Sequence, residues 1–433
     1  MNFQAALRDL DGRQPEQMPE PSLDRISALA ELLDHPELTY PSIQVTGTNG
    51  KTTTAKLIAA LACAHGLTTG TFLSPHLGSV TERLTLCGGE ISVAEFGEEY
   101  ERLTPYLEDV DRRSERPVTY FEALTALAYL WFSDKPVALG VFEVGMGGTW
   151  DATNLVRGDV AVICPIGLDH VPQLGRTVAE IAVEKAGIVK EGRTAVVREQ
   201  RPEAMEVIRR RAEETGAALI LEGRDFKLTD RTGAFGGQML TVEGVHAAYE
   251  EFFLSLFGEH AARNAAASIA TLENLLGRPL DQSAVAAAMG SVESPGRLEV
   301  VVRRPLVVLD GAHNPDAAEA LVQALGESFR WTRLHLVAAM FADKDVEAVM
   351  AILGPMAHAG YAARNQSPRS APPDRVADGM RAAGLDDVRT YDDVGEAVEA
   401  ARTRAAADDL ILVTGSFYTV ADARPLFTSN SLR

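Results

Sequence analysis

Short apolar runs alternate with longer helical patterns along most of this chain. Ser42–Thr46 (SIQVT) reads as a strand and Lys51–His65 (KTTTAKLIAALACAH) as a helix. In Ala138–Val144 and Asp159–Cys164 the apolar residues run on rather than alternate, the pattern of strands covered on both faces. Glu180–Lys190 reads as a helix and Thr194–Val197 as another short strand. This order predicts a mostly parallel sheet with helices packed on it.

From Asp225 to Leu256 the pattern shifts to alternation broken by glycines, which predicts hairpins at the margin of the first domain. Helices follow over His260–Leu276 and Asp281–Met289, and the Ser294-Pro295-Gly296 cluster then breaks the chain. Beyond it a second α/β series begins, with strands at Leu306–Leu309, Arg333–Ala338 and Leu410–Thr414 and a helix at Pro315–Leu325. The expected boundary lies near Glu293, giving domains over 1–293 and 294–433. No internal repeat or low-complexity segment stands out.

Length and composition narrow the picture. The chain has 433 residues, enough for two or three domains, and 46% hydrophobic with 24% charged residues is ordinary for a folded protein. Its formal net charge of −20 would repel a nucleic-acid backbone, so nucleic acid is not an expected partner. The three cysteines, Cys63, Cys87 and Cys164, show no metal spacing and are expected as reduced thiols of a cytoplasmic protein. No signal peptide and no membrane span are expected.

Four segments carry candidate chemistry. In VTGTNGKTTT, between strand and helix, glycines let backbone N–H groups approach phosphate oxygens. The helix start adds partial positive charge, and Lys51 can reach β/γ-phosphates. The general phosphate-loop pattern wants a glycine where this chain has Val45, so the loop is a shorter variant. In VFEVGMGGTWDATN, Glu143 ends a strand beside the expected nucleotide crevice, where an oxygen ligand suits Mg²⁺, although a strand-end glutamate and a flexible turn is an equally plain account. Asp169-His170 end the next strand and Glu184-Lys185 lie on the next helix; each alone is unpersuasive. In Asp310–Asp316 (DGAHNPD), Asn314-Pro315 is a natural helix start, which explains the proline but neither Asp310 nor His313.

Together these segments resemble the folylpolyglutamate synthase/dihydrofolate synthase family of the Mur ligase superfamily. GTNGKTT, SPHL…TERL, TYFEALTALA, FEVGMGGTWDATN, GLDHVPQLGRTVAEIAVEKAGIVK, SPGRLE, DGAHNPD and VTGSFYTVADAR match in order, from about Leu23 to Arg424. The resemblance implies an N-terminal ATPase-like domain with a mostly parallel sheet and a smaller, Rossmann-like C-terminal α/β domain. It also implies a ligase that uses ATP and two Mg²⁺ ions to join L-glutamate to dihydropteroate or a folate through an acyl phosphate.

Carried over by position, Thr48, Asn49, Gly50, Lys51 and Thr52 would hold the ATP phosphates, and Asn264 would recognise adenine. Arg297 and Asp310 would reach ATP across the cleft between domains, whose closure would keep water from the acyl phosphate. Ser74, Glu143 and His170 would be metal ligands. Lys185 matches a lysine that becomes carbamylated in this family, supplying a further oxygen ligand. His313 would lie near the incoming glutamate. Thr119, Tyr120, Phe121, Glu122, Trp150, Asp151, Ala152 and Arg83 would line the pterin-containing substrate. Lys51, Lys185, Glu143, His170 and His313 would form the catalytic set, in a monomer.

One departure bears on the subfamily. Thr52 follows the loop lysine, as in Mur ligases of peptidoglycan precursors, where many folate-branch members have glycine. Against a UDP-sugar substrate, the first strand already begins at Ser42 and no UDP-sugar domain is recognisable ahead of it. A third reading, a nucleotide-binding regulator without catalysis, conflicts with the joint presence of Lys51, Glu143, His170, Lys185, Arg297 and Asp310.

Overall fold

A computed structural model describes residues 1–15 and 22–428. The chain divides into two compact units: residues 1–231, 239–254 and 263–292 in the first, and 232–238, 255–262 and 293–433 in the second.

The first unit is built on eight strands: β1 (Ser42–Thr46), β2 (Thr69–Phe72), β3 (Leu84–Leu86), β4 (Gly89–Glu90), β5 (Leu139–Glu143), β6 (Val160–Ile163), β7 (Thr194–Val197) and β8 (Ala218–Leu221). They are ordered β4-β3-β2-β5-β1-β6-β7-β8. The six strands from β2 to β8 pair in parallel, and β3 and β4 add an antiparallel edge. Every residue of β1, β5 and β6 is buried, which explains the apolar runs of β5 and β6 and leaves Ser42, Gln44 and Thr46 of β1 as buried polar positions. The chain order reverses around β1, so the loops after β1, β5 and β6 meet at one edge of the sheet. Ligand crevices of open α/β sheets form at such points.

The helix Tyr120–Asp134 is buried on nearly all sides and lays Tyr129 and Phe132 against Phe142 of β5, with ring centroids 5.5 and 5.6 Å apart. Its start is fixed by a capping box. Thr119 Oγ1 accepts from the Glu122 N–H, and Glu122 Oε2 accepts from the Thr119 N–H.

Strands β9 (Lys227–Ala234), β10 (Gly237–Glu243) and β11 (Ala248–Leu254) form a separate three-stranded sheet where hairpins are expected. The second unit contains β12 (Glu299–Arg303), β13 (Leu306–Leu309), β14 (Leu334–Ala338), β15 (Ala359–Ala362), β16 (Val388–Thr390) and β17 (Leu410–Thr414), ordered β12-β13-β17-β14-β15-β16. Only the β12–β13 pair is antiparallel. The mixed α/β class with a larger and a smaller sheet domain is the one the alternation predicts.

Two expectations need correction. The helix expected over Glu180–Lys190 spans Val178–Ala186. At its end the Glu184 carbonyl accepts from the N–H groups of Thr149 and Gly187, at 3.0 and 3.2 Å, where a continuing helix would offer Ile188. The expectation of three reduced thiols also fails, because Cys63 and Cys87 form a disulfide with Cα atoms 5.7 Å apart. Their sequence separation of 24 hides the fact that β2 returns the chain from the helix end at Cys63 to the β3–β4 turn at Cys87. Cys164 is a buried thiol.

A buried carboxylate organises the connection to β11. Glu273, on the helix Glu259–Leu276, is fully buried and accepts from the N–H groups of Val245, His246 and Ala247 at 2.5, 3.2 and 3.1 Å. It also accepts from the Tyr249 hydroxyl at 2.7 Å. Glu273→Ala removes the acceptor from four donors at once and is expected to lower unfolding stability by about 3 kcal/mol. Urea denaturation measures this; a loss below about 0.5 kcal/mol would show that the loop holds itself.

Candidate functional site

The phosphate-type loop follows β1, and its shape is dictated by two glycines. Gly47 has φ +145° and lies so close to Cys164 that a Cβ would sit 2.6 Å from the cysteine Cβ. Gly50 has φ +90°, and a Cβ there would meet the amide of Asn264 at 3.1 Å. Side chains at either position would push the loop off the sheet edge. Gly50 caps the helix Lys51–Ala64, whose first N–H groups make this end attractive to anions.

The loop is held in place by bonds from Thr48 and Lys51. Thr48 Oγ1 donates to the Gly167 carbonyl and accepts from the Gly167 N–H, both at 3.0 Å, while its own N–H donates to the Pro165 carbonyl at 2.9 Å. Thr48 therefore sets the loop's position, with its hydroxyl committed to the strand β6 loop. Lys51 Nζ folds over the loop, donating to the Gly47 and Thr48 carbonyls at 3.0 and 3.2 Å. Asn49 stands at the half-exposed tip.

Glu143, at the end of β5, is almost completely buried. Its Oε1 accepts from the Thr52 hydroxyl at 2.7 Å and its Oε2 from the Ser74 N–H at 3.1 Å. One carboxylate thus gathers Thr52 and Ser74, and these three residues offer oxygen donors of the kind Mg²⁺ takes. The Ser74 loop is held in turn by Glu82, which accepts from the N–H groups of Leu77, Gly78 and Ser79 at 2.9, 2.7 and 2.8 Å.

Lys185 is buried, and its Nζ donates to the Gly47 carbonyl at 2.9 Å, the same carbonyl that Lys51 engages. Burial, with the nearby Lys51 charge, lowers its amine to a pKa of about 7. His170 is half-buried at a left-handed position (φ +50°), with Nε2 3.9 Å from Asp169 Oδ2. Among the described residues no group of three or more His, Cys, Asp or Glu side chains has the makings of a metal site. A metal here would draw on the Glu143 carboxylate and the hydroxyl oxygens gathered beside it.

The expected substrate-lining residues fall into two kinds. Glu122 and Asp151 are buried and occupied internally. Glu122 receives Arg25 Nε at 2.9 Å in addition to its capping role, and Asp151 accepts from Met146 N, Thr153 N and Thr153 Oγ1 at 2.9, 3.0 and 2.6 Å. Thr119 is likewise buried as a cap, and the Ala152 carbonyl accepts from the Tyr129 hydroxyl at 2.7 Å. Tyr120, Phe121 and Trp150 are half-buried. Arg83 stacks over the Tyr120 ring at 5.4 Å and donates from Nε to His76 Nδ1 at 2.8 Å. Arg83 is itself buried, so Tyr120, Phe121 and Trp150 are the more accessible of these residues.

In the second unit, the loop after β13 places Asp310 where its carboxylate accepts from the N–H groups of Leu298 and Ala312, each at 2.8 Å. Burial raises the Asp310 carboxyl, opposed by the charge of Arg297. Arg297 lies over the Phe417 ring at 5.0 Å, and His313 Nδ1 is 2.8 Å from the Gly311 carbonyl. Asp310, Arg297 and His313 thus share one loop cluster.

With both loop clusters described, similarity to known proteins becomes informative. The Mur ligase middle domain matches residues 45–272, and the Mur ligase glutamate ligase domain matches 296–417. A dihydrofolate synthase/folylpolyglutamate synthase of Mycobacterium tuberculosis is 40% identical, over 96% of this chain and 92% of that protein. The chain belongs to the folylpolyglutamate synthase family of Mur ligases. It is an ATP-dependent ligase that forms ADP. The crystal structure of the M. tuberculosis folylpolyglutamate synthase complexed with ADP and AMPPCP superposes with a TM-score of 0.93 at 39% identity, covering 99% of both chains. A bifunctional folylpolyglutamate synthase/dihydrofolate synthase with Mn, AMPPNP and L-glutamate bound gives 0.85 at 32% identity, covering 98% of each.

Two residues outside the expected set, Gln200 and Arg198, brace the surroundings of the glycine loop. Gln200 donates to the Cys164 carbonyl at 3.0 Å and accepts from the Ile166 N–H at 3.0 Å, holding the β6 loop that Thr48 grips. Arg198 is buried directly after β7 and contacts Asn264. A charged residue closing a buried strand was the available signal.

Thr48→Val keeps the volume and removes both bonds to Gly167. The expected result is a roughly fivefold rise in KM for ATP with little change in KM for the other substrates. An unchanged KM for ATP would show that the loop keeps its shape without the tie.

Proposed function

We propose that this chain adds L-glutamate to dihydropteroate, to a reduced folate, or to both. The observation that carries the reading is Glu143 gathering Thr52 and Ser74 at the mouth of a glycine loop that ends in Lys51. That arrangement suits a nucleoside triphosphate and a hard divalent cation. The relatives named above support the choice of glutamate and folate.

In the proposed reaction a substrate carboxylate oxygen attacks the γ-phosphorus of ATP. A new O–P bond forms, the bond to the β-phosphate oxygen breaks, and ADP leaves. The amine of glutamate then attacks the acyl carbonyl, an amide bond forms, inorganic phosphate departs, and a proton is released from nitrogen. Both steps pass negative charge between oxygens, so the N–H groups at the Lys51 helix start and the Lys51 ammonium stabilise them electrostatically. Thr48, Asn49, Gly50 and Thr52 shape the phosphate cradle, and Asn264 is assigned to the adenine. In the second unit we assign Arg297 and Asp310 to the nucleotide and His313 to the glutamate. Tyr120, Phe121, Trp150 and Arg83 face the pterin-bearing substrate, on a wall formed by Thr119, Glu122, Asp151 and Ala152.

Ser74, Glu143 and His170, with a modified Lys185, would hold two Mg²⁺ ions. When bound, they would neutralise phosphate charge and orient the γ-phosphate. The condition of Lys185 fits this assignment. A buried amine with a pKa of about 7 is substantially uncharged at neutral pH, and the free amine is the form that adds CO₂. Carbamylation forms an N–C bond, releases a proton and turns a potential cation into an oxygen ligand.

Among the described residues no helix is long and apolar enough to cross a membrane. We place the enzyme in the cytoplasm as a monomer acting on small molecules, without a nucleic-acid or membrane partner.

The deciding assay supplies ATP, L-glutamate and either dihydropteroate or tetrahydrofolate, with bicarbonate. ADP release that requires both glutamate and the pterin substrate is expected; release driven only by a UDP-linked peptide precursor would overturn the folate reading. Lys185→Ala is expected to lose most activity and to recover part of it with added formate or acetate. Full turnover without them would remove the carbamate. Because protonation through pH 7 blocks CO₂ addition, stimulation by bicarbonate should be larger at pH 8 than at pH 6.

A further inference from the structure

Beside the nucleotide loop lies an ionic chain, buried at Arg198 and open to solvent at Glu199, that the proposed reaction does not use. Arg198 Nε donates to Glu222 Oε2 at 2.8 Å, and Arg263 Nε donates to Glu222 Oε1 at 2.7 Å. The Glu199 N–H also donates to Glu222 Oε2, at 2.7 Å, and Arg263 Nη2 reaches Glu199 Oε2 at 2.5 Å. Arg198 is 4% exposed. Burial works against the Glu222 charge, but the two guanidinium groups and the Glu199 N–H outweigh it, keeping the carboxyl below its ordinary range. The chain ends on Asn264, whose Oδ1 accepts a hydrogen bond from Arg198 Nη1. The amide of Asn264 in turn lies against Gly50, with Oδ1 and Nδ2 each 3.1 Å from the point a Cβ there would occupy.

A guanidinium has donors only. It therefore decides which end of the amide faces it, and Nδ2 is left to face elsewhere. Each hydrogen-bonding edge of adenine beside its 6-amino group sets that donor next to a ring-nitrogen acceptor. A side-chain amide matches the pair when its oxygen takes the amino hydrogen and its nitrogen donates to the ring. The flipped amide sets donor on donor and acceptor on acceptor. Oδ1 has two lone pairs, so it can accept from Arg198 and from the amino group together.

We propose that Arg198, anchored by Glu222, is a positioning residue that locks the Asn264 amide in the orientation that pairs with adenine and opposes a 6-oxo purine. The proposal rests on the assignment of Asn264 to the base. A 6-oxo purine sets its oxygen against Oδ1. Relief by flipping the amide would turn Nδ2 toward a buried guanidinium.

The test measures Kd for ADP and IDP by calorimetry in Mg²⁺, since the two differ at the 6-position and in the adjoining N1 proton. Wild type is expected to prefer ADP. Arg198→Met should weaken ADP more than IDP and shrink the preference roughly fivefold, while Arg198→Lys, which retains a donor, restores most of it. A merely structural loss would weaken both nucleotides alike, and a wild-type ratio in Arg198→Met overturns the proposal. If that variant does not fold, Glu222→Gln is read in the same way: a reduced ratio supports the proposal and an unchanged one overturns it. Asn264→Ala separates the two levels. Loss of preference there with none in Arg198→Met sinks only the role of Arg198. Unchanged ADP binding and preference in Asn264→Ala sinks the assignment of Asn264 to adenine.

Discussion

The Gly47 carbonyl is the point on which the first unit's chemistry converges. Lys51 Nζ, from the helix that follows the loop, and Lys185 Nζ, from a helix far along the chain, both donate to it. Two ammonium groups this close repel each other, and burial beside Lys51 lets Lys185 give up its charge readily. The carbonyl can lie there because Gly47 packs its Cα against Cys164 at the end of β6. Loop conformation, lysine charge and strand order are therefore one constraint seen at three scales.

That constraint spreads through hydrogen bonds between loops. Thr48 joins the loop to Gly167, Glu143 joins Thr52 to Ser74, and Glu82 holds the turn beyond Ser74. The first two links span segments distant in sequence and adjacent at the C-terminal edge of the sheet, while the Glu82 link is local. The order β2-β5-β1-β6 brings them together, and the buried aromatic packing of Tyr129, Phe132 and Phe142 holds that order behind the site.

Much of this frame was legible because buried parallel strands leave an unbroken apolar run. Thr194–Val197, Leu306–Leu309 and Leu410–Thr414 occupy the residues their pattern indicates, and so does Ser42–Thr46, whose polar and apolar residues alternate although all are buried. Strand β2, Thr69–Phe72, escaped because TGTF buries threonines and offers no such run. The early end of the Val178–Ala186 helix was invisible because one partner of its last turn, Thr149, comes from another loop. The loop residues were readable as a motif. The importance of Glu122 and Asp151 as internal supports, and of Arg198 as a contact of Asn264, depends on partners that only folding supplies. The Cys63–Cys87 pairing is of the same kind, and cysteine spacing alone pointed the other way.

The helix Glu259–Leu276 has a mechanical consequence. Asn264, near one end, faces the nucleotide loop, and Glu273, near the other, is clasped by the backbone of Val245–Ala247. At about 1.5 Å per residue the two lie roughly 14 Å apart along one rod. The rod cannot slide or roll without breaking the clasp, so the turn before β11 acts as a distant foundation for the amide. Drift in that turn, at the far end of the helix, would be felt first as a shift of the Asn264 amide against Gly50.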